Sequence, residues 1–380
     1  MTARGGMEIP AVNLTDSTHS GKKVGVRRAT RQVNVGGVKV GGGAPISVQT
    51  MTKTKTGDVE ATVRQIVAAA DAGCDIVRVT VNDKEAADAM HEIVRQSPIP
   101  VVADIHFNHI FALKAIEANV AKVRLNPGNI GSRERIHQVL SAAKERSIPI
   151  RIGVNSGSLE EDILQKHGYP TAEALYESAM RHVAICDEFG FHDIIISVKS
   201  TNVRLMIDAY RLVAERTDIP LHLGVTEAGP TRSGTIKSAV GIGALLSEGI
   251  GDTIRVSLTD EPVKEVEVGK EILRSLDLAT RNVELIACPT CGRLEVDLFG
   301  IMGELERRLE GIKKPVKIAV LGCVVNGPGE ASEADIGIAA GKGVGILYRK
   351  GEVIRRVKES EIVDVIVEEV KNFQPEDAGE

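Results

Sequence analysis

The stretch AKVRLNPGNIGSRERIHQVLSAAKERSIPIRIGV (121–154) decides the fold of most of this chain. A short β-branched run, 121–126, ends in Asn and a Pro-Gly turn. An amphipathic segment rich in Ala, Glu and Arg follows over 133–146, and a second β-branched run, 149–154, comes directly after it. Strand, helix and strand at this spacing form a parallel βαβ unit, because two parallel neighbours need a crossover long enough to hold a helix.

The same alternation extends in both directions, from about residue 46 to 276. Candidate strands are 46–52, 75–81, 99–107, 121–126, 149–154, 193–199, 221–226 and 252–258, with helical segments such as 59–72, 112–119, 133–146 and 173–188 between them. Eight strand–helix units over this length predict a TIM (β/α)8 barrel. A doubly wound open sheet is the alternative. It would more often carry a Gly-rich phosphate fingerprint after its first strand, and none stands here.

Past residue 276 the pattern changes. Short strands are expected at 283–287, 317–321, 334–339, 345–348 and 353–357, with helices at 298–310 and 361–373. This reads as a small α+β domain of ordinary size. The expected division is 1–43 as an N-terminal tail and leading segment, 44–280 as the barrel and 281–380 as the small domain. A linker lies near 277–282, residues 1–20 form a loose tail, and 374–380 form a polar end.

Composition narrows the function. The 380 residues are 43% hydrophobic and 26% charged, enough for a real core. A net charge of −5 gives no global basic field, so any anion site must be local. With no Trp and 3% aromatics, nucleic-acid stacking surfaces are not expected. No apolar run is long enough to span a bilayer, and the N-terminus has no apolar signal core. The expectation is a cytoplasmic protein that binds neither membrane nor nucleic acid. Five Cys, an odd number, argue against a disulfide framework.

Five strands carry a cation between apolar neighbours near the C-terminal end: Arg78, Arg124, Arg151, Lys199 and Arg255. Flanking residues of a strand point to the opposite face, so if the apolar neighbours pack under the helices the cations point into the barrel. They would then converge on the face where TIM barrels keep their active sites. A diphosphate offers several oxygens for guanidinium contacts and would relieve the repulsion. The competing reading pairs some of them with acids, Asp104 and Glu227 being able to neutralise two. The same strand ends carry His106, Asn126, Asn155, His222, Thr226 and Ser257. The turns 126–129 and 155–158 could offer backbone N–H groups to an anion, although each alone reads simply as a turn.

Cys288-Pro-Thr-Cys291 puts two thiols on one tight turn, and Cys323 opens a Gly-rich segment that ends at Glu330. Structural zinc is the competitor, but it normally takes four ligands from two such turns, and every His precedes Cys288. Three Cys and one weaker position suit an iron–sulfur cluster with one exchangeable site, for which Glu330 is the oxygen candidate. Cys74 and Cys186 read as small core residues.

Together these motifs resemble the 4-hydroxy-3-methylbut-2-enyl diphosphate synthase family. The resemblance runs from about residue 44 to the end. It rests on VADIHF (102–107), RLNPGNIG (124–131), PIRIGVNSGSLE (149–160), SVKS (197–200), PLHLGVTEAG (220–229), SEGIGDTIRVSL (247–258), ACPTCGR (287–293) and GCVVNGPGE (322–330), the last two being specific as a pair. Gly292 stands where some relatives have Ser. The resemblance implies an iron–sulfur oxidoreductase of the methylerythritol phosphate route to isoprenoids. Such enzymes convert 2-C-methyl-D-erythritol 2,4-cyclodiphosphate to 4-hydroxy-3-methylbut-2-enyl diphosphate with two electrons from reduced flavodoxin or ferredoxin. It implies one 4Fe-4S cluster per chain, held by Cys288, Cys291, Cys323 and Glu330. It places substrate against Arg78, His106, Arg124, Asn126, Arg151, Asn155, Lys199, Arg255 and Ser257, makes Glu227 a carboxylate near the reacting carbons, and implies a head-to-tail homodimer.

Overall fold

The computed structural model describes residues 26–279, 283–312, 314–323 and 327–374. The expected loose tail at 1–20, part of the expected linker at 277–282, most of the polar end at 374–380, and residues 324–326 of the last motif lie outside the described residues. The chain divides into two compact units after Leu276.

The first unit opens with a hairpin, β1 (Gln32–Val35) and β2 (Val38–Gly41), which the sequence reading above does not anticipate. Gly36 and Gly37 make its two-residue turn, both with positive φ (57° and 97°), as the twist of a tight hairpin requires. Val33, Val35 and Val40 alternate onto one face and pack against Ile76, Val102 and Ile195.

Eight parallel strands follow: β3 (Ser47–Met51), β4 (Ile76–Thr80), β5 (Val101–Asp104), β6 (Lys122–Arg124), β7 (Ile150–Asn155), β8 (Ile194–Lys199), β9 (His222–Leu223) and β10 (Thr253–Ile254). Their order is β8-β7-β6-β5-β4-β3-β10-β9. A parallel bridge between Ile196 and Leu221 joins β8 to β9 and closes the cylinder. All eight expected strands are present, and the barrel, not the open sheet, is the fold. The ladders of β9 and β10 stop early, at Leu223 and Ile254, so residues 224–226 and 255–257 are irregular wall.

Helices α1 (Val59–Asp71), α2 (Lys84–Gln96), α3 (His109–Glu117), α4 (Arg133–Glu145), α5 (Glu161–His167), α6 (Ala172–Glu188), α7 (Val203–Arg216), α8 (Thr231–Ser247) and α9 (Pro262–Ser275) surround it. Short polar side chains start several of them by accepting from a free first-turn N–H: Asp58 from Ala61, Asp83 from Ala86, Thr171 from Ala174 and Asn202 from Leu205. Pro262 begins α9, where no N–H is needed. Among the described residues no helix is long and apolar enough to cross a membrane.

The second unit is a five-stranded mixed sheet in the order β11 (Glu284–Ala287), β12 (Lys317–Leu321), β13 (Ile336–Gly341), β14 (Val344–Arg349) and β15 (Glu352–Lys358). The first three strands are parallel neighbours and the last two pair antiparallel. Helices α10 (Leu298–Leu309) and α12 (Ile362–Asn372) build its core with Ile318, Val320, Ile336 and Ile338. A short helix, α11 (Gly327–Ser332), stands where the sequence reading expects only a Gly-rich segment.

Candidate active site

The strand period turns Arg78, Arg124, Arg151 and Lys199 to one side, Arg255 directly follows β10, and all five line a single cavity of about 180 Å³. Asp104, His106, Asn155, Thr226 and Ser257 complete its wall. Strand register produces this meeting: Asp104 pairs with Arg124, and Arg124 with Arg151, across adjacent strands.

Among the described residues, two carboxylates serve the five cations. Asp104 accepts from Arg124 at 3.2 Å and faces Arg78 at 3.5 Å. Burial alone would raise its carboxyl, but Arg78, Arg124 and Arg151 outweigh that and hold it at about 2. Arg255 is neutralised by Glu265 of α9, through Nε at 3.2 Å and Nη2 at 3.1 Å. The Glu265 carboxylate, 1% exposed, also accepts from Thr50 Oγ1 at 2.7 Å and from Leu258 N at 3.0 Å. The neutralising role expected of Glu227 falls instead to Glu265, which sequence alone does not single out. Glu227 is exposed, adopts a left-handed backbone (φ 50°) and does not line the cavity. The available signal for Glu265 was an acid on the buried stripe of α9, beside Val266, Gly269, Ile272 and Leu273.

The balance leaves cations over. Arg151 is 1% exposed and gives Nη1 to Ser197 Oγ at 2.6 Å, while its Nε and Nη2 have no partner among the described residues. The same holds for Arg124 Nε, although its Nη2 donates to the Gly153 carbonyl at 2.8 Å. Burial, then Arg151, Arg78, Arg255 and Arg124, push the Lys199 ammonium well below the usual lysine range. Buried donors without acceptors are costly, so this wall is built for an anion with several oxygens.

Two glycines make room for these side chains. A Cβ on Gly153 would stand 2.6 Å from Arg124 Nε, and one on Gly224 would stand 2.9 Å from Lys199 Nζ. Asn126 is not part of the cavity wall. Its Nδ2 donates to the Gly153 carbonyl at 3.1 Å and its Oδ1 accepts from Gly153 N at 2.8 Å. The 126–129 turn is likewise committed, since Gly128 N donates to His182 Nδ1 at 3.2 Å. These two backbone N–H groups are bound within the protein rather than presented to an anion.

In the second unit, Cys288 follows the last residue of β11 and Cys323 lies two residues past β12. The strands are parallel neighbours, with Ala287 opposite Val320, so both thiols leave the same end of the sheet. Glu295 N donates to the Gly322 carbonyl at 3.2 Å, tying the two cysteine loops together. Gly322 permits this approach, since a Cβ there would stand 2.3 Å from Leu294 Cδ1. Cys291 and Glu330 are exposed, and among the described residues no three His, Cys, Asp or Glu side chains converge at metal distance. Strand-end placement and soft donor chemistry fit a thiolate-bound cluster. Cys74 and Cys186 are buried as expected, and burial pushes their thiols up to about 11 and about 12.

Residues 30–270 match the GcpE TIM-barrel domain, and residues 284–372 match the GcpE protein C-terminal domain. This chain belongs to the GcpE family. Among curated GcpE relatives, it is 57% identical over 347 residues to the 4-hydroxy-3-methylbut-2-en-1-yl diphosphate synthase (flavodoxin) of Clostridium perfringens, covering 91% of this chain and 99% of that one. The enzyme of the same name from Symbiobacterium thermophilum is 57% identical over 345 residues, covering 91% and 93%. That from Geobacter sulfurreducens is 55% identical over 351 residues, covering 92% and 99%. Both GcpE domains are therefore present, and the cation-lined cavity lies in the first of them.

Proposed function

We propose that this chain is a cytoplasmic 4-hydroxy-3-methylbut-2-en-1-yl diphosphate synthase. It opens and dehydroxylates 2-C-methyl-D-erythritol 2,4-cyclodiphosphate with two electrons from reduced flavodoxin or ferredoxin. The observation that carries this reading is the buried guanidinium nitrogens of Arg124 and Arg151 that lack acceptors among the described residues, in a mouth holding five cations. Arg78, Arg124, Arg151, Lys199 and Arg255 bind the diphosphate oxygens. His106, Asn155 and Ser257 orient it, and Asn126 acts through Gly153 by fixing the wall beside Arg124. Glu227, exposed and next in the chain to the cavity residue Thr226, is in this reading the carboxylate that holds or delivers a proton at the reacting carbons and the departing hydroxyl.

Cys288, Cys291, Cys323 and Glu330 would hold one 4Fe-4S cluster per chain. When bound, this group supplies single electrons and a Lewis-acidic iron. The active species in this reading is a homodimer in which each cluster unit serves the partner subunit's barrel.

The test is turnover of the cyclic diphosphate by anaerobically reconstituted protein with reduced flavodoxin, product being identified by mass spectrometry. Glu227→Gln should bind substrate at least as tightly and lose most of kcat, whereas near-normal kcat with weakened binding would refute its role. Mixing Arg124→Ala and Cys323→Ser proteins under subunit exchange should restore part of the activity if the dimer reading holds. No recovery despite proven exchange would assign barrel and cluster to the same chain.

A further inference from the structure

Beneath the anion-binding mouth the barrel holds a second polar layer. Lys122 lies two residues before Arg124 on β6, so it points the same way and sits about 7 Å deeper. It is fully buried. Its Nζ stands 3.4 Å from Gln49 Oε1 of β3, and among the described residues no carboxylate pairs with it. His222 of β9 is equally buried, with neither ring nitrogen hydrogen-bonded among the described residues. Arg78 of β4 and Arg151 of β7 act on Lys122, and Lys199 of β8 joins them around His222. Of the other strands, β5 supplies Asp104, committed to Arg78 and Arg124, and the wall after β10 supplies Arg255, committed to Glu265.

We propose that Lys122 is a buried proton acceptor coupled to the diphosphate site, taking up a proton when a diphosphate occupies the cation ring. A lone carboxamide is poor compensation for an ammonium buried among guanidiniums, so the empty barrel holds the neutral amine. Burial first, then Arg151 and Arg78, act in that direction. A dianion seated over Arg124 and Arg151 offsets the excess positive charge that Asp104 and Glu265 leave, in an interior that screens it weakly. The Nζ lone pair then takes a proton from solvent, one N–H bond forms, and no electron moves. Gln49 Oε1 and an unprotonated His222 nitrogen are the acceptors on hand for the ammonium. The empty barrel thus avoids one increment of cation repulsion that bound diphosphate largely removes.

The inference rests on the proposed function only in taking a cyclic diphosphate as occupant. That ligand suits the test, because each of its phosphorus atoms carries one strongly acidic oxygen and nothing on it titrates near neutrality. The full chain, without reductant, is titrated with 2-C-methyl-D-erythritol 2,4-cyclodiphosphate by calorimetry in buffers of differing ionisation enthalpy. The slope of heat against buffer enthalpy counts protons. Wild-type protein should take up roughly one to two protons per site, shared by Lys122 and Lys199. Lys122→Met should take up about one fewer while still binding. Lys122→Gln should lose the same amount, and it retains a group able to bond Gln49 should the methionine variant not fold. Unchanged uptake in either variant overturns the proposal. So does wild-type binding with no uptake anywhere between about pH 6 and 9. Absence of wild-type binding would instead refute the diphosphate site, and this inference with it.

Discussion

The guanidinium of Arg124 crosses the bare backbone of Gly153. A Cβ there would lie 2.6 Å from its Nε and 3.1 Å from its Nη2, and the Gly153 carbonyl accepts Nη2 at 2.8 Å. A glycine on one strand therefore sets the reach of a cation on the next. Gly153→Ala should push Arg124 off its carbonyl and weaken cyclic diphosphate binding by roughly ten- to hundredfold, the worth of one charged hydrogen bond. Gly243→Ala, where a Cβ meets nothing within 4 Å, is the control. Calorimetric affinities check this, and equal affinities for the two variants would refute it.

Glu265 serves Arg255, Thr50, the Leu258 N–H and, at 3.7 Å, Lys53 Nζ from one buried carboxylate. Removing one partner of a buried pair leaves the other charge uncompensated, at about 3–5 kcal/mol. Glu265→Gln should lose stability of that order in urea denaturation. Saturating cyclic diphosphate should restore more stability to the variant than to the parent, because the ligand supplies the missing negative charge. Equal restoration in both proteins would show that Arg255 does not face the anion.

Stability should rise with pH in the empty protein. Burial, followed by neighbouring cations, lowers both Lys122 and Lys199 well below 10.5 in the fold. The unfolded chain therefore binds more protons from those lowered values up to about pH 10.4, and stability increases with pH across that window. His222, also lowered by burial, adds to the rise through the histidine range. The buried thiols of Cys74 and Cys186, raised to about 11 and about 12, oppose it only above about pH 8.5. Scanning calorimetry should thus show Tm climbing between about pH 6 and 8. Bound cyclic diphosphate should flatten the slope. A Tm falling across that interval would mean that these lysines stay charged.

Replacing Cys288, Cys291 or Cys323 by Ser should remove most iron and acid-labile sulfide from anaerobically reconstituted protein. A hydroxyl is a poor ligand for the soft sites that thiolates fill. Cys186→Ser should leave both unchanged, because that thiol is fully buried in α6 of the barrel unit. Metal and sulfide analysis decides it, and equal loss in all four variants would sink the ligand assignment.

Local sequence determined much of this protein. Period-two runs alternating with helical segments fixed eight strands in number and place, and a cation flanked by apolar residues marked each wall position at Arg78, Arg124, Arg151, Lys199 and Arg255. These signals are legible because strand period and amphipathicity act over a few residues. The tertiary structure alone decided how charge is balanced. Asp104 meets Arg78 and Arg124 through the register of three strands, and Glu265 reaches Arg255 from a helix. Clearance at Gly153 and Gly224, the buried layer of Lys122 and His222, and the packing of the first hairpin against Ile76, Val102 and Ile195 also arise between distant segments. Register and barrel closure set those meetings, and both are properties of the whole cylinder that no single strand encodes.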